Sequence, residues 1–287
     1  FTHSRQSTIY CCLAYDLKGN TLGMWLSTEC SLTFDITTPT PFILMLRPRN
    51  DFNQWVAEQT YTISPNVPVI EYNDSFGNSC QRLVAPVGTF SVRTSAKVLT
   101  SPAVIGDRWA GFNEIDTLPN EALGYLLPSR YCESDRFVEM AHSIVTNCVP
   151  GYEQVAAIED WIRTNVHFNP DSLYFQLSAT EVNQSREGVC RELAHLGIAL
   201  CRSLCIPARM VVGYLHGLTP MDMHAWFEAY VGGRWYTFDA TQPSSDGARV
   251  AIAFGHDASD VATFTQFGPA VQPKVMTVNV SEIEPPD

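Results

Sequence analysis

Gly188-Val189-Cys190-Arg191-Glu192-Leu193-Ala194-His195-Leu196 decides how this chain is read. A cysteine follows a glycine and opens a segment in which Leu193, Ala194, Gly197, Leu200, Cys201 and Leu204 fall on one stripe at helical spacing. The pattern predicts a helix from Cys190 to about residue 204, stopped before Ile206-Pro207. The first turn of a helix offers unpaired N–H groups and partial positive charge, which favour a thiolate over a thiol. The thiolate is the nucleophilic form of cysteine. Cys190 points with the stripe, so a buried cysteine acting as a small hydrophobe fits the same spacing. His195 lies five residues on, about 140° around the helix and off the face of Cys190.

Two further segments carry groups that a nucleophilic cysteine needs. They are Met223-His224-Ala225-Trp226-Phe227 and Trp235-Tyr236-Thr237-Phe238-Asp239-Ala240-Thr241. Residues 225–231 and 234–240 read as strands on either side of Gly232-Gly233, a two-residue hairpin signal. Pairing Val231 with Arg234 sets the register. Trp226 then faces Asp239, and His224 becomes the diagonal neighbour of Asp239 on the same face, within reach of a hydrogen bond. A slip of one residue would destroy that arrangement. Trp226, Glu228 and Trp235 share this face. Ala225, Phe227, Ala229, Val231, Tyr236 and Phe238 form the opposite, packing face. Nucleophile, base and orienting group are thus available as Cys190, His224 and Asp239.

Bulk properties narrow the function classes. With 287 residues, 45% hydrophobic and 17% charged, the chain can bury a sizeable core and accommodates two domains. A net charge of −12 argues against nucleic-acid or anionic-membrane binding, which needs clustered Lys and Arg. No apolar run approaches the roughly 20 residues of a membrane span. The start, Phe1-Thr2-His3-Ser4-Arg5, has neither an initiating Met nor the charged-then-apolar pattern of a secretion signal, so a processed start stays open. Nine dispersed cysteines make an odd number, which speaks against a disulfide framework and for a reducing cytoplasm. Cys190, His195, Cys201 and Cys205 lie close in sequence, but no Cys-x-x-Cys pair exists. No metal is expected there. With no Asp/Asn/Gly loop of the calcium-binding type, no cofactor is expected either.

Along the chain, residues 8–14, 31–36, 42–47, 59–63, 67–71 and 90–98 read as short strands separated by turn signals such as Lys18-Gly19-Asn20 and Phe76-Gly77-Asn78. Strands without intervening helices predict an antiparallel sandwich or barrel. Residues 100–119 read as a connector, which divides the chain into a β-rich domain at 1–105 and a second domain at 106–287. Helices are expected at 120–127, at 134–147 behind a Ser134 cap, and at 152–166. Another strand is expected at 208–215.

The chain resembles the transglutaminase-like superfamily of cysteine enzymes. The matching pieces are Gly188 to His195, Ile206-Pro207-Ala208-Arg209 running into Val212-Gly213-Tyr214, His224 to Tyr230, and Trp235 to Thr241. Residues 42–49, 60–65 and 75–78 resemble the β-rich N-terminal region of bacterial members. Residues 125–132 and 252–261 resemble the segments that enter and close their core. The resemblance implies an α+β chain: an N-terminal antiparallel β sandwich or barrel, then a papain-like core of helices packed on an antiparallel sheet, with a C-terminal extension. It also implies Cys190 as nucleophile, His224 as base and Asp239 as the residue that orients it.

The expected chemistry is acyl transfer on a peptide or protein amide through a thioester, with the backbone N–H of Cys190 as one oxyanion donor. Gln184, six residues before Cys190, is a candidate second donor, although a solvated loop glutamine is the simpler reading. Trp226 either walls the site or fills the sheet, and packing is the simpler reading. Hydrolysis leads, as a peptidase or amidase. Amine transfer in protein cross-linking and a silent binding module are the rivals. Thiol–disulfide exchange lacks its usual Cys-x-x-Cys. Oligomeric state, substrate identity and the role of the β domain are not legible.

Overall fold

The computed structural model describes residues 23–101, 106–170, 176–243 and 247–286. The strand expected at 8–14 lies outside them, as do residues 102–105 beside the expected domain boundary.

The N-terminal region is two antiparallel four-stranded sheets. Its strands are β1 (Met24–Ile36), β2 (Thr40–Leu44), β3 (Gln54–Ser64), β4 (Ile70–Asn73), β5 (Ser79–Ala85) and β6 (Gly88–Thr100). One sheet has the order β14-β1-β6-β3 and the other β13-β2-β5-β4, where β13 (Phe264–Gln266) and β14 (Val275–Glu282) come from the far end of the chain. Alternation explains the first sheet. Leu26, Thr28, Cys30, Leu32, Phe34 and Ile36 of β1 are buried, and β6 answers with Phe90, Val92, Thr94, Ala96 and Val98. Phe34 contacts Phe42 and Phe264 of the second sheet with ring centroids 5.2 and 5.3 Å apart, so an aromatic cluster joins the two sheets. The expected sandwich is present, and β13 and β14 complete both of its sheets.

The core carries the helices α1 (Asn120–Leu123), α2 (Val138–Ile144), α3 (Tyr152–Asn165), α4 (Ala179–Ser185) and α5 (Cys190–Ser203). Its main sheet has the order β11-β10-β9-β12, from β9 (Ala208–Leu215), β10 (His224–Val231), β11 (Arg234–Phe238) and β12 (Arg249–Gly255). A small parallel pair joins β7 (His167–Phe168) to β8 (Glu187–Gly188). Helix α5 packs on β10 and is enclosed by α2, α3 and α4. It is buried on every face from Glu192 to Arg202, so the sequence stripe understates its centrality. The helix expected over 134–147 is shorter and starts differently. Ser134 opens a 3-10 turn, and Phe137, buried with φ −112° and ψ 3°, interrupts the run before α2. Packing of this side chain overrides the Ser134 cap. Among the described residues no helix is long and apolar enough to cross a membrane.

Strand β12 is the edge of the main sheet, and its outward backbone groups are taken by the N-terminal region. The Gln54 carboxamide bonds the Ala251 carbonyl and accepts the Ala251 N–H, both at 2.7 Å. Asn78 does the same for Phe254, at 2.8 and 2.9 Å. The Thr100 hydroxyl donates to the Arg249 carbonyl at 2.8 Å. Gln54 and Asn78 are 2% and 0% exposed, so they act as pseudo-backbone partners for an edge hidden from water. Truncation of Asn78 to Ala leaves two buried backbone groups unpaired, and the expected loss is about 2–4 kcal/mol of stability. Urea unfolding of Asn78→Ala measures this. A loss below about 0.5 kcal/mol would contradict the role of the edge bonds.

Candidate active site

Cys190 is the first residue of α5 and is half-buried. The approach through β8 is tight. A Cβ on Gly188 would stand 2.6 Å from the Glu192 Cβ, so only glycine lets the strand cross the first helical turn. Glu192, 1% exposed, turns back so that its Oε2 accepts the Val189 N–H at 3.3 Å, while Oε1 accepts from Arg191 at 2.7 Å. The Gly188, Cys190 and Glu192 of the motif therefore serve one packing arrangement that fixes where the helix begins.

His224 opens β10, and Asp239 follows the last residue of β11. Gly232 and Gly233 turn the hairpin with φ of 57° and 81°, the two positive angles of the tight turn that suits strand twist. Val231 pairs with Arg234 and Phe227 with Phe238, the register expected from the sequence. The consequence follows directly. His224 Nε2 lies 2.7 Å from Asp239 Oδ2. Since a carboxylate only accepts, Nε2 carries the proton and donates. Cys190 lies near enough to the same imidazole to raise its pKa, and with Nε2 engaged by Asp239 the nitrogen left for the thiol is Nδ1.

The sequence pattern of the transglutaminase-like superfamily matches residues 138–240, and that of the bacterial transglutaminase-like N-terminal region matches residues 37–99. A solved structure, of a candidate cysteine protease from Cytophaga hutchinsonii, is 35% identical, covers 92% of each chain and superposes with a TM-score of 0.85. The chain belongs to the transglutaminase-like superfamily. An uncharacterized protein of Mycobacterium leprae (strain TN) is 28% identical over 232 residues, which span 76% of this chain and 82% of that one. The fold and these relatives support an enzyme.

In this transglutaminase-like protein the Asp239 carboxylate is saturated with donors. Oδ2 is shared by His224 Nε2 at 2.7 Å and Arg249 Nη2 at 3.2 Å. Oδ1 accepts the Thr241 N–H at 3.1 Å and its hydroxyl at 2.6 Å. Behind it, the Asp239 N–H donates to Glu159 Oε1 of α3, which pairs with Arg163 at 3.2 Å. Burial alone would raise Asp239. The bond and charge of His224, with Arg249 and Thr241, hold it down at about 2. Burial works against a charged His224. The bonds to Asp239 and Cys190 overcome it and lift the imidazole to about 9.

The other expected residues are placed as follows. Gln184 is exposed in the last turn of α4, on a helix and not in a loop. Trp226, 3% exposed, packs with Val211, Ala251 and Phe254 and backs the His224 ring with centroids 6.1 Å apart. His195 is fully buried. Its Nδ1 donates to the Leu177 carbonyl at 3.0 Å and its Nε2 accepts the Ala258 N–H at 3.2 Å. Burial pushes His195 down to about 4, so it is a neutral strut between loops. Glu228 forms a 2.6 Å pair with Arg209. Cys30, Cys80, Cys132, Cys148, Cys190, Cys201 and Cys205 are free thiols. Among the described residues no group of three or more His, Cys, Asp or Glu side chains could hold a metal.

The sequence reading missed Arg249, Thr241, Glu159 and Arg163 as site residues. Thr241, two residues after Asp239, has the spacing of a local side-chain bond to the carboxylate. Glu159 and Arg163 stand at i and i+4 beside Ile158 and Ile162, a legible helix pair. Arg249 carried no signal, because its strand was not recognised.

These pKa values fix a pH dependence of stability. The pKa of His224 rises on folding from 6.5 to about 9, so its contribution is full below about pH 6.5 and is lost as pH rises through about 9. The pKa of Asp239 falls from 3.8 to about 2, so its contribution is present above about pH 4 and is lost as pH falls through about 2. The unfolding midpoint of wild type minus that of His224→Gln should shrink between about pH 6.5 and 9. A difference that is flat over that range, or grows, would contradict the raised imidazole.

Proposed function

We propose that this protein is a cysteine-dependent hydrolase of amide bonds, a peptidase or amidase, in which Cys190 is the nucleophile, His224 the acid–base group and Asp239 the residue that orients it. One observation carries this reading. A single buried imidazole is bonded through one nitrogen to an ionised carboxylate, which leaves the other for the half-buried thiol beside it at the head of a helix. The likeness to a solved candidate cysteine protease over nearly the full chain supports it.

The steps follow from the geometry. The Cys190 proton passes to His224 Nδ1, and the thiolate attacks the amide carbonyl to form the C–S bond. The oxyanion that develops is met by the Cys190 N–H, which stands in the first turn of α5, where N–H groups have no partner within the helix. His224 returns its proton to the leaving nitrogen as the C–N bond breaks, and an amine and a thioester result. Water gives a proton to His224 and attacks the thioester. The C–S bond breaks, the acid leaves, and thiolate and imidazolium are restored. Throughout, Asp239 keeps Nε2 protonated, so that Nδ1 is the nitrogen that exchanges protons.

The test is incubation of an unfolded protein substrate with the enzyme, with and without a primary amine, read by mass spectrometry. Cleavage in both arms that is absent in Cys190→Ala is the expected result. Amine incorporation at glutamine without cleavage would replace hydrolysis by transfer. Asp239→Asn should retain the fold and lower kcat/KM by about 10²- to 10⁴-fold. A loss below about tenfold would contradict its orienting role.

A further inference from the structure

Beyond the three residues of the proposed mechanism, one cation reaches the same carboxylate. Arg249 Nη2 donates to Asp239 Oδ2, the very oxygen that accepts from His224. Two donors 2.7 and 3.2 Å from one oxygen cannot lie more than about 6 Å apart, so the guanidinium and the imidazole are close neighbours in a site largely closed to water. The Arg249 side chain is 8% exposed and that of Asp239 is 1% exposed. The guanidinium also lies over the Trp226 ring, 5.7 Å from its centroid, and Trp226 in turn backs His224. Arg249 therefore touches both the carboxylate and the wall behind the imidazole.

The backbone of Arg249 belongs to the grip on β12. Its carbonyl accepts the Thr100 hydroxyl at 2.8 Å, and two residues on, Ala251 is held on both sides of its peptide by Gln54. A continuous path of short bonds thus runs from the N-terminal β region through Arg249 to Asp239. We propose that Arg249 is a positioning residue that holds the Asp239 carboxylate on His224, and that the N-terminal β region fixes the strand from which it acts. The proposal rests on the hydrolase reading above and adds a role for the β region.

Electrostatics gives this role a signature that packing alone lacks. The groups that face Asp239 are His224 from β10, Arg249 from β12, Glu159 and Arg163 from α3, and Thr241 from its own loop. Cys190 of α5 acts on His224 as well. Of these, Arg249 is the cation that shares the carboxylate oxygen of His224. It opposes charge on the imidazole while it anchors the acceptor. Removal of a mere neighbouring cation would raise the His224 midpoint, whereas loss of the anchor frees the carboxylate and lowers it.

Histidine-selective NMR titration of the whole protein, with His224 assigned from His224→Gln, reads this directly. In Arg249→Gln the carboxylate is no longer anchored on His224, and the His224 midpoint is expected to fall by about one pH unit toward 6.5. In Arg249→Lys, which keeps the charge, it should stay within about 0.3 units of wild type. If Arg249→Gln does not fold, Arg249→Met supplies the neutral variant at similar volume. A neutral variant that is folded and leaves the midpoint unmoved or raised, as removal of a mere neighbouring cation would, or a lysine variant that shifts as far as the neutral one, overturns the proposal. A wild-type midpoint near 6.5 would instead sink the paired imidazole itself, so the two failures are distinguishable.

Discussion

An ionised carboxylate buried at Asp239 is the constraint from which the arrangement of this site follows. A charge taken out of water is costly unless donors replace the solvent it has lost. Here four do: an imidazole, a guanidinium, a hydroxyl and a backbone N–H. They come from β10, from β12 and from the turn after β11, so the three segments must meet at one point. Helix α3 fixes the same residue from behind through Glu159. The carboxylate thus holds one nitrogen of the imidazole and leaves the second for the thiol at the head of α5.

The N-terminal region belongs to the same account. An edge strand with unpaired N–H and C=O groups is unstable when hidden from water. Gln54, Asn78 and Thr100 resolve this for β12, and their side-chain bonds substitute for a fifth strand. The bulge between Ala251 and Ala253 turns the outward groups of Ala251 and Phe254 toward these partners. Since β13 and β14 return to the sandwich after β12, the chain leaves the main sheet into the region that grips it. The β sandwich and the site-bearing sheet are therefore mechanically joined at the strand that carries Arg249.

Much of this was legible in the sequence where local rules dominate. The turn chemistry of Gly232-Gly233 fixed the register, and the register alone brought His224 and Asp239 together. The helix from Cys190 followed from spacing and from the stop at Ile206-Pro207. Local rules misread the start of α2, because the burial of Phe137 is a tertiary effect. Helix α4 went unrecognised although Ser178 and Glu181 form a capping box that the sequence displays. Strand β12 and its Arg249 were passed over although Val250 to Phe254 is a short apolar run between Gly247 and Gly255, because such a run does not alternate as a half-buried strand does.

The central claim is that His224 activates Cys190 as its base. The pH dependence of Cys190 alkylation by iodoacetamide, followed by peptide mass spectrometry in wild type and His224→Ala, tests it most directly. The account predicts a rate in wild type that falls by at least about tenfold in the variant near pH 7. A rate that is the same in both proteins from about pH 6 to 9 would contradict it.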